Sequence, residues 1–285
     1  FFRTWQYVCH EREVAHKGDY QVFEIADQSL FVIRDGDDAL RAFYNVCQHR
    51  AHELLQGAGN KKLITCPYHA WIYNLDGRLK RAQGSENVPG FDNEKICLNE
   101  VRLELFCGFV FVNLDPEAAS MASWYAEAEA DLRRFVPEID SYRPIWTHDS
   151  REACNWKVAV ENYNECYHCR FVHPAFTKGV IAAESVNITP QDYTLRHEAS
   201  AVPAEKGSYD FDDDAYHVIY LWPTMSIQVY PGRVVNTYWW RPTAIDETQV
   251  FRGWLSPGSE ADKITMEIAE IDKKTTFAED LPVVE

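Results

Sequence analysis

Two short stretches, Cys47-Gln48-His49 and Cys66-Pro67-Tyr68-His69, decide how this chain is read. Sixteen residues separate them, and each offers a thiol and an imidazole from a loop that follows a β segment. Two such loops side by side can pinch a metal centre between them. Two thiolates on one iron and two imidazoles on the other is the donor set of a [2Fe–2S] cluster with a raised reduction potential. A tetrahedral zinc site accepts the same four donors, so the ligands by themselves leave both open.

Outward from these loops, the first ~115 residues read as short strands with no long helical periodicity, which favours a small antiparallel β domain. Gln21–Ile25, Leu30–Arg34 and Leu40–Val46 are apolar or β-branched runs, the last two joined by a turn at Asp35-Gly36. Lys62–Thr65, Ala70–Tyr73, Arg78–Lys80, Val101–Leu105 and Phe109–Val112 continue the pattern, with a second turn at Asp76-Gly77. From Pro116 the texture changes. Ala118–Phe135, Asn155–His168 and Ser259–Phe277 read as helices, the last with Ile264, Ile268 and Ile271 on one face. Tyr216–Leu221, Met225–Tyr230, Val234–Trp240 and Val250–Leu255 read as strands. The expected class is therefore α+β, with domains at 1–116 and 117–285.

The second of these domains carries another dense group of donors. On a helix over Asn155–His168, Glu161, Glu165 and His168 would share one face. His173 lies five residues further on, and Pro174 disfavours helical geometry there, so the chain can bend its ring back toward His168. Two histidines and one carboxylate with open positions form the facial triad of non-haem iron oxygenases. An isolated His-x₄-His, however, is more often a solvated pair on a helix surface. Asp280 is the chosen carboxylate, with Glu279, Asp272 and Glu285 as alternatives; Pro282 would suit the first turn of a new helix.

Composition narrows the partners. With 44 acidic and 28 basic side chains the formal charge is −16, which argues against nucleic acid and anionic membranes. No apolar run approaches the ~20 residues of a membrane helix. Eight cysteines are too sparse for a disulfide scaffold and fit a reducing, cytoplasmic setting. The chain begins at Phe1 without Met and stops at Glu285 in an expected helix, so truncation at both ends is expected.

Cys47-Gln-His49-Arg50 with Cys66-Pro-Tyr-His69-Ala-Trp71 resembles the Rieske signature, and the chain as a whole resembles the α subunits of Rieske non-haem iron oxygenases. Phe43-Tyr-Asn-Val-Cys-Gln-His-Arg-Ala-His-Glu53 and Glu165-Cys-Tyr-His-Cys169 look like the branch acting on quaternary ammonium compounds; ring-hydroxylating dioxygenases more often have Asp where this chain has Glu165. The resemblance implies an all-β Rieske domain followed by a helix-grip catalytic domain. It implies a [2Fe–2S] cluster with Cys47 and Cys66 on the inner iron and His49 and His69 on the outer, and a mononuclear Fe(II) on His168, His173 and Asp280. Head-to-tail homotrimers are implied, with Glu165 bridging subunits as a catalytic residue, and a separate flavin-containing reductase through which NAD(P)H acts only indirectly. The implied reaction uses O₂ to hydroxylate a C–H bond, with N-demethylation of a betaine such as proline betaine (stachydrine) expected. Carnitine or glycine betaine oxygenation, arene dihydroxylation and plain Rieske electron transfer remain alternatives. Aromatic faces hold quaternary ammonium best, so Tyr220, Trp222 and Tyr238 are cage candidates, although aromatics on strands are commonly core.

Overall fold

The apolar runs of the first unit, Phe1–Ser120, pair into two antiparallel sheets in the computed structural model of the chain. The structure describes residues 1–202, 215–258, 260–261, 263–274 and 276–284, without the side chains of residues 271, 274, 276–278 and 281. The strands are β1 (Gln6–His10), β2 (Asp19–Ile25), β3 (Gln28–Arg34), β4 (Leu40–Tyr44), β5 (Ala58–Asn60), β6 (Ile64–Thr65), β7 (Ile72–Tyr73), β8 (Leu79–Arg81), β9 (Glu100–Phe106) and β10 (Phe109–Asn113). One sheet runs β1-β10-β9-β4-β3-β2-β5 and the other β6-β7-β8. The middle of β3, Leu30–Ile33, is apolar without interruption because both its faces are buried. Leu30 and Val32 join Val101, Val110 and Val112 in one core, while Phe31 and Ile33 join Phe43, Ile64, Tyr73, Cys47 and Cys66 in another. Burying each such side chain contributes about 1.5–3 kcal/mol.

The turn after β3 differs from the expected Asp35-Gly36 pair. The chain loops over five residues, Asp38 takes the left-handed conformation, and Asp35 accepts the N–H groups of Asp37 and Ala39. Gly77 does what its turn requires: its φ is +85°, and a Cβ there would meet the Phe43 ring at 2.6 Å.

The second unit, Met121–Glu285, holds α1 (Met121–Phe135), β11 (Arg143–Glu152), α2 (Trp156–Tyr163), α3 (Cys169–Val172), α4 (Pro174–Gly179), β12 (Asn187–Pro190), β13 (Thr194–Ser200), β14 (Ala215–Leu221), β15 (Met225–Tyr230), β16 (Val234–Ala244), β17 (Glu247–Ser256), α5 (Lys263–Lys274) and α6 (Thr276–Val284). The seven strands form one antiparallel sheet, β11-β17-β16-β15-β14-β13-β12. Its register places Tyr216, Val218 and Tyr220 on one face with Gln228, Tyr230, Tyr238, Arg252 and Trp254. Ala159 and Val160 of α2 and Ile268 and Ala269 of α5 pack onto that face. α1 covers the other, where Phe135 stacks on His217.

Two helix readings are corrected. The helix from Asn155 ends at Tyr163 rather than His168, because the Glu165 side chain accepts the Tyr167 and His168 N–H groups and turns the chain; Glu161, Glu165 and His168 therefore share no helix face. The expected Ser259–Phe277 helix is found as α5 and α6, with Ser259 and Thr275 outside the described residues. Its buried stripe is Thr265, Ile268, Ala269 and Asp272, whereas Ile264 is exposed; the Ile271 side chain lies outside the described set. Asp280 and Pro282 sit within α6, so Pro282 does not open a new helix. No helix among the described residues is long and apolar enough to cross a membrane.

Candidate metal centres

The two Cys–His loops of the first unit have the same backbone. Ala51 donates its N–H to the Cys47 carbonyl and Ala70 donates to the Cys66 carbonyl, while Cys47 N–H goes to His52 and Cys66 N–H to Trp71. Ala51 and Ala70 both adopt left-handed φ, at +56° and +54°, a conformation uncommon for a residue with a Cβ. These turns aim Cys47 and Cys66 into the core and His49 and His69 outward. Burial raises the Cys47 thiol pKa, and the neighbouring Cys66 adds to that, whereas a hydrogen bond with the Tyr73 hydroxyl at 3.2 Å favours the thiolate. The His49 and His69 rings lie 4.7 Å apart, and His49 stacks on Trp71 at 4.7 Å.

These residues fit a [2Fe–2S] group. His69 Nδ1 is a buried polar atom with no hydrogen-bond partner among the described residues, and a metal would satisfy it. One tetrahedral zinc would draw all four donors around a single point. Among the described residues the set converging within 4.8 Å is instead His168, His173 and Asp280.

That second set is assembled from two segments far apart in sequence. His173 caps α4, whose first residue Pro174 bends the chain as anticipated, and Asp280 comes from α6. His173 Nε2 lies 3.1 Å from His168 Nε2 and 3.0 Å from Asp280 Oδ1, and Asn162 Nδ2 donates to the same carboxylate at 3.2 Å. Each imidazole has a second carboxylate at its far nitrogen: Glu165 at His168 Nδ1, and Glu279 at His173 Nδ1, 3.1 Å away. Such partners fix which ring nitrogen faces a metal. Burial opposes charging His173, yet Asp280 and Glu279 outweigh it and hold its pKa above the usual value. Glu279, weighed above as a metal ligand, thus sits on the opposite edge of the ring. Asp272 points elsewhere, accepting the Tyr230 and Tyr238 hydroxyls at 3.2 and 3.4 Å, and Glu285 lies outside the described residues. Cys166 and Cys169 are joined by a disulfide across the His168 turn.

A cavity opens beside this triad, lined by His168, His173, Asp280, four tyrosines (Tyr163, Tyr216, Tyr230, Tyr238) and Asp272. Of the three cage candidates, Tyr238 lines it. Tyr220 is turned into the core, its hydroxyl donating to the Pro223 carbonyl, and Trp222 is 42% exposed with its ring 5.9 Å from Trp156. Tyr163 was missed because it ends a helix remote from the strand aromatics, although it stands two residues before Glu165.

Residues 4–92 match the family model for a Rieske [2Fe-2S] domain, and residues 117–285 match that for the ring hydroxylating alpha subunit (catalytic domain). The carnitine monooxygenase oxygenase subunit of Escherichia coli (strain K12) is 41% identical over 241 residues, covering 83% of this chain and 64% of the relative, so the chain spans under two thirds of that protein. The glycine betaine monooxygenase oxygenase subunit of Chromohalobacter salexigens is 34% identical over 70% of this chain and 45% of its own length. Among solved structures, a quaternary ammonium Rieske monooxygenase superposes with a TM-score of 0.90 at 31% identity, covering 100% of this chain and 78% of that one.

Proposed function

The chain belongs to the ring-hydroxylating α subunits that carry an N-terminal Rieske [2Fe–2S] domain, and from that membership we propose that it is an oxygenase component hydroxylating a C–H bond of a quaternary ammonium compound. The tyrosine-walled cavity beside His168, His173 and Asp280 is the observation that carries the substrate class. Aromatic faces stabilise a cation without N–H groups, which hydrogen bonds cannot hold. Asp272 adds a carboxylate to the same wall.

In this reading Cys47, Cys66, His49 and His69 hold the cluster, and His168, His173 and Asp280 hold the iron. When bound, the two groups supply single electrons and O₂ activation respectively. The chain's own residues prepare that chemistry. Glu165 and Glu279 accept the Nδ1–H of His168 and His173, turning both Nε2 atoms toward the metal and leaving the cavity side open. Glu165 is partly exposed, and its carboxylate is the group we assign to reach His49 or His69 of a neighbouring subunit in a head-to-tail homotrimer. A separate flavin-containing reductase, itself reduced by NAD(P)H, is the proposed electron source. The tyrosines and Asp272 orient the methylated head toward the triad. Hydroxylation at an N-methyl carbon gives a carbinol that falls apart to formaldehyde and the demethylated amine. The finer proposal is a betaine such as proline betaine.

The test is oxygen uptake and formaldehyde release by the iron-loaded protein with a reductase, offered proline betaine, glycine betaine, L-carnitine, gamma-butyrobetaine and a neutral arene. Uptake with a quaternary ammonium compound is expected, with formaldehyde where an N-methyl carbon reacts. Uptake with the arene alone would overturn the substrate class.

A further inference from the structure

The sheet face flooring the cavity carries two polar side chains that neither metal centre uses. His197 on β13 stands opposite Val218 on β14, which stands opposite Gln228 on β15, so the three share one row on one face. With adjacent strands ~4.8 Å apart, only Val218 separates two longer side chains whose backbones are about 10 Å apart. All three residues line the cavity. Both polar residues are more than nine-tenths buried, and His197 Nε2 and Gln228 Oε1 have no hydrogen-bond partner among the described residues. Unsatisfied buried polar atoms mark places where water or a ligand belongs.

The hydrogen-bond chain behind them sets which kind of ligand. Ser226 Oγ donates to the Ile219 carbonyl, so it accepts from the Tyr163 hydroxyl at 2.8 Å, and that hydroxyl accepts from Gln228 Nε2 at 2.8 Å. The amide oxygen of Gln228 is therefore the atom left over. The His197 ring hydrogen-bonds the Asn164 backbone in a way that favours a proton on the ring, which identifies a ring N–H donating to the carbonyl. Burial pulls the His197 pKa down to about 4, so at neutral pH its Nε2 bears a lone pair. Both leftover atoms are acceptors. A quaternary ammonium head has neither N–H nor O–H to give them.

We propose that His197 and Gln228 form a subsite that reads a hydroxyl on the carbon chain of the substrate, selecting hydroxylated quaternary ammonium compounds over their deoxy counterparts. This rests on the substrate class proposed above, and the test separates the two. Dissociation constants are measured without turnover, on the iron-loaded full-length protein, for four compounds. Two are L-carnitine and gamma-butyrobetaine, which differ by one hydroxyl; two are their analogues with an uncharged tert-butyl group in place of trimethylammonium. The wild type is expected to bind hydroxylated members three- to tenfold more tightly. In His197→Phe and in Gln228→Met that ratio should fall to within twofold of one. The ratio is internal to each variant, so a general loss of packing, which weakens both members alike, leaves it unmoved and counts against the proposal. A wild type with no hydroxyl preference in either pair, variants that keep it, or no binding of any of the four also overturns it. Equal affinity for the trimethylammonium and tert-butyl members sinks the substrate class instead, and the hydroxyl ratio then stands on the tert-butyl pair.

Discussion

At the scale of single residues, the triad imidazoles depend on carboxylates that do not face the metal position. Glu279 stands at His173 Nδ1, reaching it from a distant helix, and Glu165 stands at His168 Nδ1 from within the same turn. Replacing Glu279 with Gln should weaken iron binding about 10–100-fold, the usual effect of losing such a partner, as read by competition with a chelator. Glu165→Gln should leave the cluster's iron and sulfide intact while lowering oxygen uptake about 10–100-fold, even at iron concentrations that saturate the triad; normal product formation by that variant would remove its proposed bridging role. The proposed donors Cys47, His49, Cys66, His69, His168 and His173 were legible as candidates in the sequence because few residue types bind iron and their spacing is local. Glu279 was not separable from Asp280, since neighbouring acids in one helix differ only in where the turn points them.

Elements of the fold turn on a few backbone positions. At Gly77 a Cβ would meet Phe43 at 2.6 and 2.9 Å and Cys97 Sγ at 3.2 Å, in a left-handed conformation. Gly77→Ala should therefore cost about 2–4 kcal/mol, visible as a lower Tm and weaker cluster retention, because Phe43 packs in the same core as Cys47 and Cys66. Burial disfavours the Asp35 carboxylate, but the Arg41 guanidinium at 2.6 Å and the Ala39 and Asp37 N–H groups outweigh it and hold its pKa below the usual value. A lowered folded-state pKa gives stability that is present above the unfolded value of ~3.9 and lost as pH falls through the folded one. Asp35→Asn should accordingly narrow its stability gap from wild type below about pH 4, as urea denaturation at several pH values would reveal. Two of the strands that escaped the sequence reading explain themselves: β5 is exposed throughout, and β11 is half exposed with no clean alternation. The helix carried too far at Asn155–His168 looked periodic, but a side chain in the turn itself ended it.

For the molecule as a whole, the two donor sets predict three irons and two inorganic sulfides per chain, since one set fits a diiron cluster and the other a single ion. Elemental analysis with a visible spectrum checks this; a colourless zinc protein would defeat it, and two irons per chain would leave only the electron-transfer domain. Mild chelation should remove one iron and oxygen uptake while the cluster absorption stays. By itself the sequence determined the order of the two units, the β and α+β character of each, and which residues to propose as donors, because scarce ligand chemistry and short-range periodicity are written locally. Only the tertiary structure brought Asp280 beside His168 and His173, placed Glu279 at the far edge of the His173 ring, and set Tyr163, Tyr216, Tyr230 and Tyr238 along the cavity while Tyr220 and Trp222 lie off it. Those outcomes depend on which face a strand presents and where a helix turn falls, and both are set by packing between segments many residues apart.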